Sequence, residues 1–266
     1  MSSTPAARFH HTSRNVLIAV SLASTSLSAC ARGGGKSTSD QNAVQGVLRG
    51  TQAGGASSTL ASGPVGATEW QSLFDGTTLT GWHGFKTPGK APAGWQAIDG
   101  TLTRVSTGGD LVTDRTYANF ELMLEWQIAG KGNSGIIYRI DPTANATYES
   151  GPEMQVLDDA GHADGKSRLT AAGSAYGLYP VPEGVVKAAG QWNAARLLVN
   201  GAHVEHWLNG VKVVEYELWS PDWEARVKAS KFAAWPGYGR ALRGYLGLQD
   251  HGDRVSYRKI RIRELR

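Results

Sequence analysis

From residue 68 onward apolar and polar positions alternate along the chain. In NFELMLEWQI (Asn119 to Ile128), Phe120, Leu122, Leu124, Trp126 and Ile128 take every second position, the period of a strand with one face buried. SGIIYRI, PEMQVL, WNAARLLVN, YLGLQ and SYRKIRIREL behave similarly. In HVEHWLNGVKVVEYEL two alternating runs meet at Asn209-Gly210, a dipeptide suited to the type I′ turn of a hairpin. Helical periods are scarce. One short helix is predicted in SPDWEARVKASK, with Ser220 as N-cap, Pro221 at the first helical position and acids in the first turn. Many short strands in a Gly- and Trp-rich chain predict an all-β fold, an antiparallel sandwich or barrel.

The first 67 residues follow other rules. Arg8 and Arg14 precede the weakly apolar VLIAVSLASTSLSA, the charge-then-apolar order of an export signal. The run falls short of the roughly 20 residues of a membrane span. It ends in LSAC, similar to a bacterial lipobox, in which the chain is cut before the cysteine and the thiol carries lipid. Cys30 is the only cysteine, so no internal disulfide can form, and lipidation would account for an odd thiol in an exported chain. The alternative is a plain signal with an incidental cysteine. Residues 31–67 are rich in Gly, Ser, Ala and Thr without apolar period, a composition that predicts a flexible tether. The expectation is an exported domain at 68–266, anchored by lipid to the bacterial cell envelope, at the outer membrane or facing the periplasm.

Charge adds little. Removing residues 1–30 takes away Arg8 and Arg14 and no acid, so 27 basic residues become 25 against 23 acids, a net charge of +2. The basic excess lies in RVSYRKIRIRELR, where Ile260 and Ile262 alternate with Arg261 and Arg263. That is a solvated strand face, and a nucleic-acid partner is not expected. Neither a nucleotide-binding loop, a serine-centred elbow nor a zinc spacing is present.

WQSLFDGTTLTGWHGF resembles the opening of the 3-keto-disaccharide hydrolase domain family. NSGIIYRI, PEMQVLDDAGH, GLYP, WNAARLLVNGAHVEHWLNGVKVVEYE and GYLGLQDHGDRVSYRKIRIREL follow in that family's order. The resemblance covers 68–266. It implies a concanavalin A-like jelly roll of two antiparallel sheets. It also implies action on glycosides whose C3 hydroxyl has been oxidised to a ketone.

Such a ketone acidifies the hydrogen on C2, so a base can remove it and the C1 oxygen can leave by elimination, with water adding afterwards. The route needs a base, a group that stabilises the enolate oxygen and an acid for the departing oxygen. Alternation selects the residues that could share one sheet face. Glu153 and Gln155 point opposite to Met154, Val156 and Asp158, while Gln249 and His251 share a face opposite Leu248 and Asp250. Glu153 and His251 are the expected catalytic pair, with Asp159 and His162 on the pocket rim. Asn133, Arg139, Gln155, His206, Trp235 and Gln249 are the expected saccharide contacts, Arg139 only if no bulge intervenes. Other readings stay open. Glu153 could be a paired structural acid, His206 a hydrogen-bonded sandwich histidine, and Asp158, Asp159 and Asp164 turn formers. No cofactor is required. A divalent metal polarising the C3 ketone would suit the chemistry, though the acid cluster lacks a calcium-loop spacing. A non-catalytic carbohydrate-binding module is the competing function, because fold does not fix function.

Overall fold

The computed structural model describes residues 66–266. The signal, Cys30 and the tether up to residue 65 lie outside the described residues. In chain order the strands are β1 (Gln71–Ser72), β2 (Trp82–Gly84), β3 (Trp95–Ile98), β4 (Thr101–Arg104), β5 (Leu111–Thr113), β6 (Phe120–Ile128) and β7 (Asn133–Ile140). They continue with β8 (Glu153–Leu157), β9 (Asn193–Asn200), β10 (His203–Leu208), β11 (Val211–Glu217), β12 (Tyr245–Leu248) and β13 (Val255–Glu264). Among the described residues one α-helix, α1 (Pro221–Ala229), interrupts them.

The strands form two antiparallel sheets. The larger runs β11-β10-β9-β6-β13-β4-β3, with β1 also on β13, and the smaller runs β2-β5-β12-β7-β8. Together they make a jelly-roll sandwich with one hydrophobic core between the sheets. β6 sends Phe120, Leu122, Leu124, Trp126 and Ile128 into it from one side, and β7 and β8 send Ile136, Tyr138, Met154 and Val156 from the other. Helix α1 starts as its sequence dictates: the Ser220 hydroxyl accepts from the Trp223 amide at 3.2 Å and Pro221 opens the first turn. Its Trp223 joins a buried stack with Tyr179, Tyr216, Tyr238 and Phe232.

Two expectations about facing residues are corrected here. His206 lies on the core side of β10 with Val204 and Leu208 and is fully buried. Its Nδ1 meets the Gly173 carbonyl at 3.0 Å and its Nε2 the Tyr138 hydroxyl at 3.1 Å. Donation from Nδ1–H to the carbonyl leaves Nε2 to accept from Tyr138, and burial lowers its pKa to about 4, so the ring is neutral. It satisfies the core and is not among the residues that line the cavity described below. Arg139 is displaced by a bulge: Tyr245 and Gly247 pair with Ile140 and Ile137, so β7 carries one extra residue. Arg139 adopts φ +50° there. Its guanidinium turns to the Ala118 and Gly201 carbonyls, at 3.0 and 2.8 Å, and ties strand ends together.

Candidate active site

The outer face of the smaller sheet holds the site. Because Ser134, Ile136, Met154, Val156, Leu246 and Leu248 turn inward, Asn133, Gly135, Glu153, Gln155, Gly247 and Gln249 turn outward. Gly135 pairs with Gln155, and its carbonyl accepts from the Gln249 amide at 3.0 Å. Leu248 pairs with Leu111, which puts Asp110 beside the end of the same row. Asn133, Glu153, Gln155, Gln249 and Asp110 line a cavity of about 290 Å³, near the lower end of small-molecule sites (roughly 300–1,000 Å³) and about right for one sugar ring. His251 stands exposed at its mouth.

Glu153 is its most unusual residue. It is 7% exposed, yet no hydrogen-bond donor among the described residues meets its carboxyl group. Burial pushes its pKa up to about 8; Lys231 opposes the shift and the charges of Asp110 and Asp164 add to it. The carboxyl group lies over Gly135, where a Cβ would stand 2.1 Å from Glu153 Oε1. Glycine at 135 therefore makes room for the acid. The amide oxygens of Asn133 and Gln249 are also buried without partners. Gln155 is held instead by its own loop, donating to the Thr170 carbonyl at 3.2 Å.

Aromatic groups wall the other side. Trp235 packs edge-on against Tyr148 at 5.5 Å and near Phe232 at 6.0 Å. Lys231 places its ammonium 4.4 Å from the Tyr176 ring centre. The Tyr176 hydroxyl donates to Asp164 Oδ2 at 3.1 Å, and burial together with that acid pushes its pKa up to about 12. Asp110 accepts from the Asp250 amide at 2.8 Å and from the Thr147 hydroxyl, while burial raises its pKa. Asp250 is pushed up by burial, but the Gly108 and Gly109 amides and Arg104 outweigh this and hold it low.

Of the expected residues, the cavity gathers Glu153, His251, Asn133, Gln155, Gln249 and Trp235. Asp159 and His162 are not among its lining residues. Asp159 accepts from the Ala172 amide at 2.8 Å, and His162 Nδ1 caps a short 3-10 turn by accepting from the Asp164 amide at 3.1 Å. Both hold the loop after β8 in shape. Asp158 does similar work through the Lys131 amide at 2.7 Å. Residues not expected from sequence are Asp110, Tyr148, Tyr176, Lys231, Phe232 and Asp250. Tyr176 comes from a loop and Tyr148, Lys231 and Phe232 from short 3-10 turns, where no strand period marks direction. Among the described residues, three metal-donor side chains meet within 4.8 Å at His203, Glu205 and Glu215. That group lies on β10 and β11, away from the cavity, and Lys212 already pairs with both glutamates, at 3.3 and 2.5 Å.

Fold and site together define a jelly-roll protein with a ring-sized, acid-bearing cleft on the outer face of its smaller sheet. The chain belongs to the 3-keto-alpha-glucoside-1,2-lyase-like domain family, whose model matches residues 69–263. It is 34% identical over 234 residues to a 3-keto-disaccharide hydrolase from Bacteroides thetaiotaomicron, a match covering 76% of this chain and 80% of that one. A crystal structure from Parabacteroides distasonis, provisionally described as a glycosyl hydrolase, is 35% identical with a TM-score of 0.67, covering 76% of this chain and 94% of that one. A second from the same organism, described in the same way, is 30% identical with a TM-score of 0.60, covering 74% and 100%.

Proposed function

We propose that this domain is a carbohydrate-active hydrolase that cleaves 3-keto-glycosides, beginning with removal of the C2 proton by Glu153. The observation that carries the reading is the Glu153 carboxyl group: buried in the cavity floor, without a donor among the described residues, and with its pKa raised to about 8. A carboxylate so placed is a stronger base than an exposed one, and its proton affinity matches work near neutral pH. The chemistry then follows from the lining. The electron pair of the C2–H bond forms the enolate, whose oxygen at C3 needs donors; the side-chain amides of Asn133 and Gln249, whose oxygens have no partner among the described residues, can rotate to supply them. His251 at the mouth is suited to moving protons between the site and solvent. Re-formation of the C3 ketone expels the C1 oxygen and leaves a C1–C2 double bond. Water adds across it, hydroxyl to C1 and proton to C2, so the net result is hydrolysis.

The relative's name and the family's description support a keto-sugar substrate for this chain. The aromatic wall of Trp235 and Tyr148 supports a sugar ring, whose C–H faces pack on aromatic faces. A pure binding module would have no use for an unpaired buried acid, which costs stability. The test incubates purified protein with a 3-keto-disaccharide and with its unoxidised parent, with and without chelator. Conversion of the keto form alone is expected. Conversion of the parent would indicate ordinary two-carboxylate hydrolysis, binding without conversion would return the module reading, and loss of activity with chelator would add a metal to the site.

A further inference from the structure

A second cavity, of about 310 Å³, adjoins the first. Its lining includes Phe85, Lys86, Thr87, Asn145 and Thr147. Among the described residues Asp110 alone lines both cavities. We propose that the second cavity binds the departing sugar of the substrate and that Asp110 is the acid that protonates the departing oxygen. This rests on the reading of the first cavity as a 3-keto-glycoside site.

The argument is one of placement. Glu153 leans over Gly135 on β7, whereas Asp110 precedes β5. β12 alone separates these two strands, so their backbones lie two spacings apart, roughly 9–10 Å. The two carboxyl groups thus approach a bound ring from opposite sides, with Gln249 of the intervening segment between them. A base at C2 on one side leaves the C1 oxygen directed to the other, and beyond it lies the second cavity. Its size suits one further ring. Its make-up suits a sugar rather than an apolar group: the Phe85 ring, with the Lys86 ammonium 4.6 Å from its centre, stands among hydroxyl and amide side chains.

The step balances. Glu153 holds the proton taken from C2, the electrons of the enolate form the C1–C2 double bond, the C1–O bond breaks, and that oxygen takes the Asp110 proton to leave as an alcohol. Burial favours the protonated form of Asp110 beforehand, and the Thr147 hydroxyl and Asp250 amide fix its orientation.

The experiment compares the protein with its Asp110→Asn and Phe85→Ala variants on a 3-keto-disaccharide and on a 4-nitrophenyl 3-keto-glucoside whose leaving group needs no proton, with methyl 3-keto-glucoside as a further substrate for Phe85→Ala. Asp110→Asn should lose about 10²-fold or more in kcat/KM on the disaccharide, the ordinary cost of removing a general acid. Its loss on the nitrophenyl substrate should be at least ten times smaller, which also reports that the variant is folded. Phe85→Ala should raise KM for the disaccharide several-fold with kcat little changed, and should leave KM for methyl 3-keto-glucoside unaltered. Equal losses by Asp110→Asn on both substrates, or an equal KM effect of Phe85→Ala on disaccharide and methyl glycoside, would overturn the proposal while leaving the keto-glycoside reading intact. Failure of the unaltered protein to convert either keto substrate would instead overturn that reading, and this proposal with it.

Discussion

Glu121 and Glu153 sit on the outer faces of opposite sheets, and both are almost sealed from solvent, at 3% and 7% exposure. Glu121 lies on β6 between two arginines: Arg196 donates to one oxygen and Arg263 to the other, the latter from Nε at 2.6 Å. Glu153 on β8 has no such partner. A buried charge without partners costs several kcal/mol, so it neutralises at neutral pH. With a pKa of about 8, roughly one Glu153 in ten is ionised at pH 7. The first acid fastens strands; the second is left without a partner among the described residues and faces the cavity.

The largest expected effect separates the pair outright. Glu153→Gln should lower turnover of a 3-keto-glycoside by about 10²–10⁴-fold while the fold survives. Glu121→Gln should leave turnover near normal but lower unfolding stability by about 1–3 kcal/mol, because two partly exposed arginines lose their acceptor. Denaturant titration and steady-state kinetics on both variants would check this, and matching losses of turnover would erase the distinction. Gly135→Ala tests the space over the strand. Its new methyl needs the place of Glu153 Oε1, and displacing a catalytic group by about 1 Å can cost some 10²-fold in rate. Turnover should fall while Glu121 and its sheet are untouched.

The next effect is on stability and pH. The folded pKa of Glu153 lies above the ordinary carboxylate value of 4.5, so the native state holds this proton more tightly than the unfolded chain does. Its contribution is full below about 4.5 and is lost as pH rises through about 8, a change on the order of a few kcal/mol. Glu153→Gln should remove that decline. Its melting temperature relative to the unaltered protein should therefore rise between pH 5 and pH 9 (roughly the span of the shift), and a parallel offset would contradict the assignment. The smallest effect concerns Asp164. Because it orients Tyr176 at the cavity, Asp164→Asn should raise KM a few-fold with little change in kcat.

The sandwich was legible because its strands follow period two over long runs; β6 buries the five residues that alternation picks out. The Glu153, Gln155 and Gln249 face was legible for the same reason. Arg139 was not, since a single extra residue in β7 redirects it and nothing local announces that bulge. His206 obeyed alternation, but alternation does not say which face of a strand meets the core. Asp110 reaches the site only through pairing of β5 with β12, which are more than 130 residues apart in sequence. Asp159 turns back to the Ala172 amide, thirteen residues on, which only the folded loop brings near, whereas His162 is spent locally as a cap on the Asp164 amide two residues on.

The central claim is that Glu153 removes the C2 proton, and deuterium exchange tests it without waiting for bond cleavage. A 3-keto-disaccharide would be incubated in deuterated buffer with the unaltered protein and with Glu153→Gln, and deuterium at C2 of recovered substrate and product followed by NMR. The account predicts incorporation with the unaltered protein and none above the uncatalysed rate with the variant. Incorporation at equal rates with both, or cleavage by the unaltered protein with C2 hydrogen retained throughout, would contradict it.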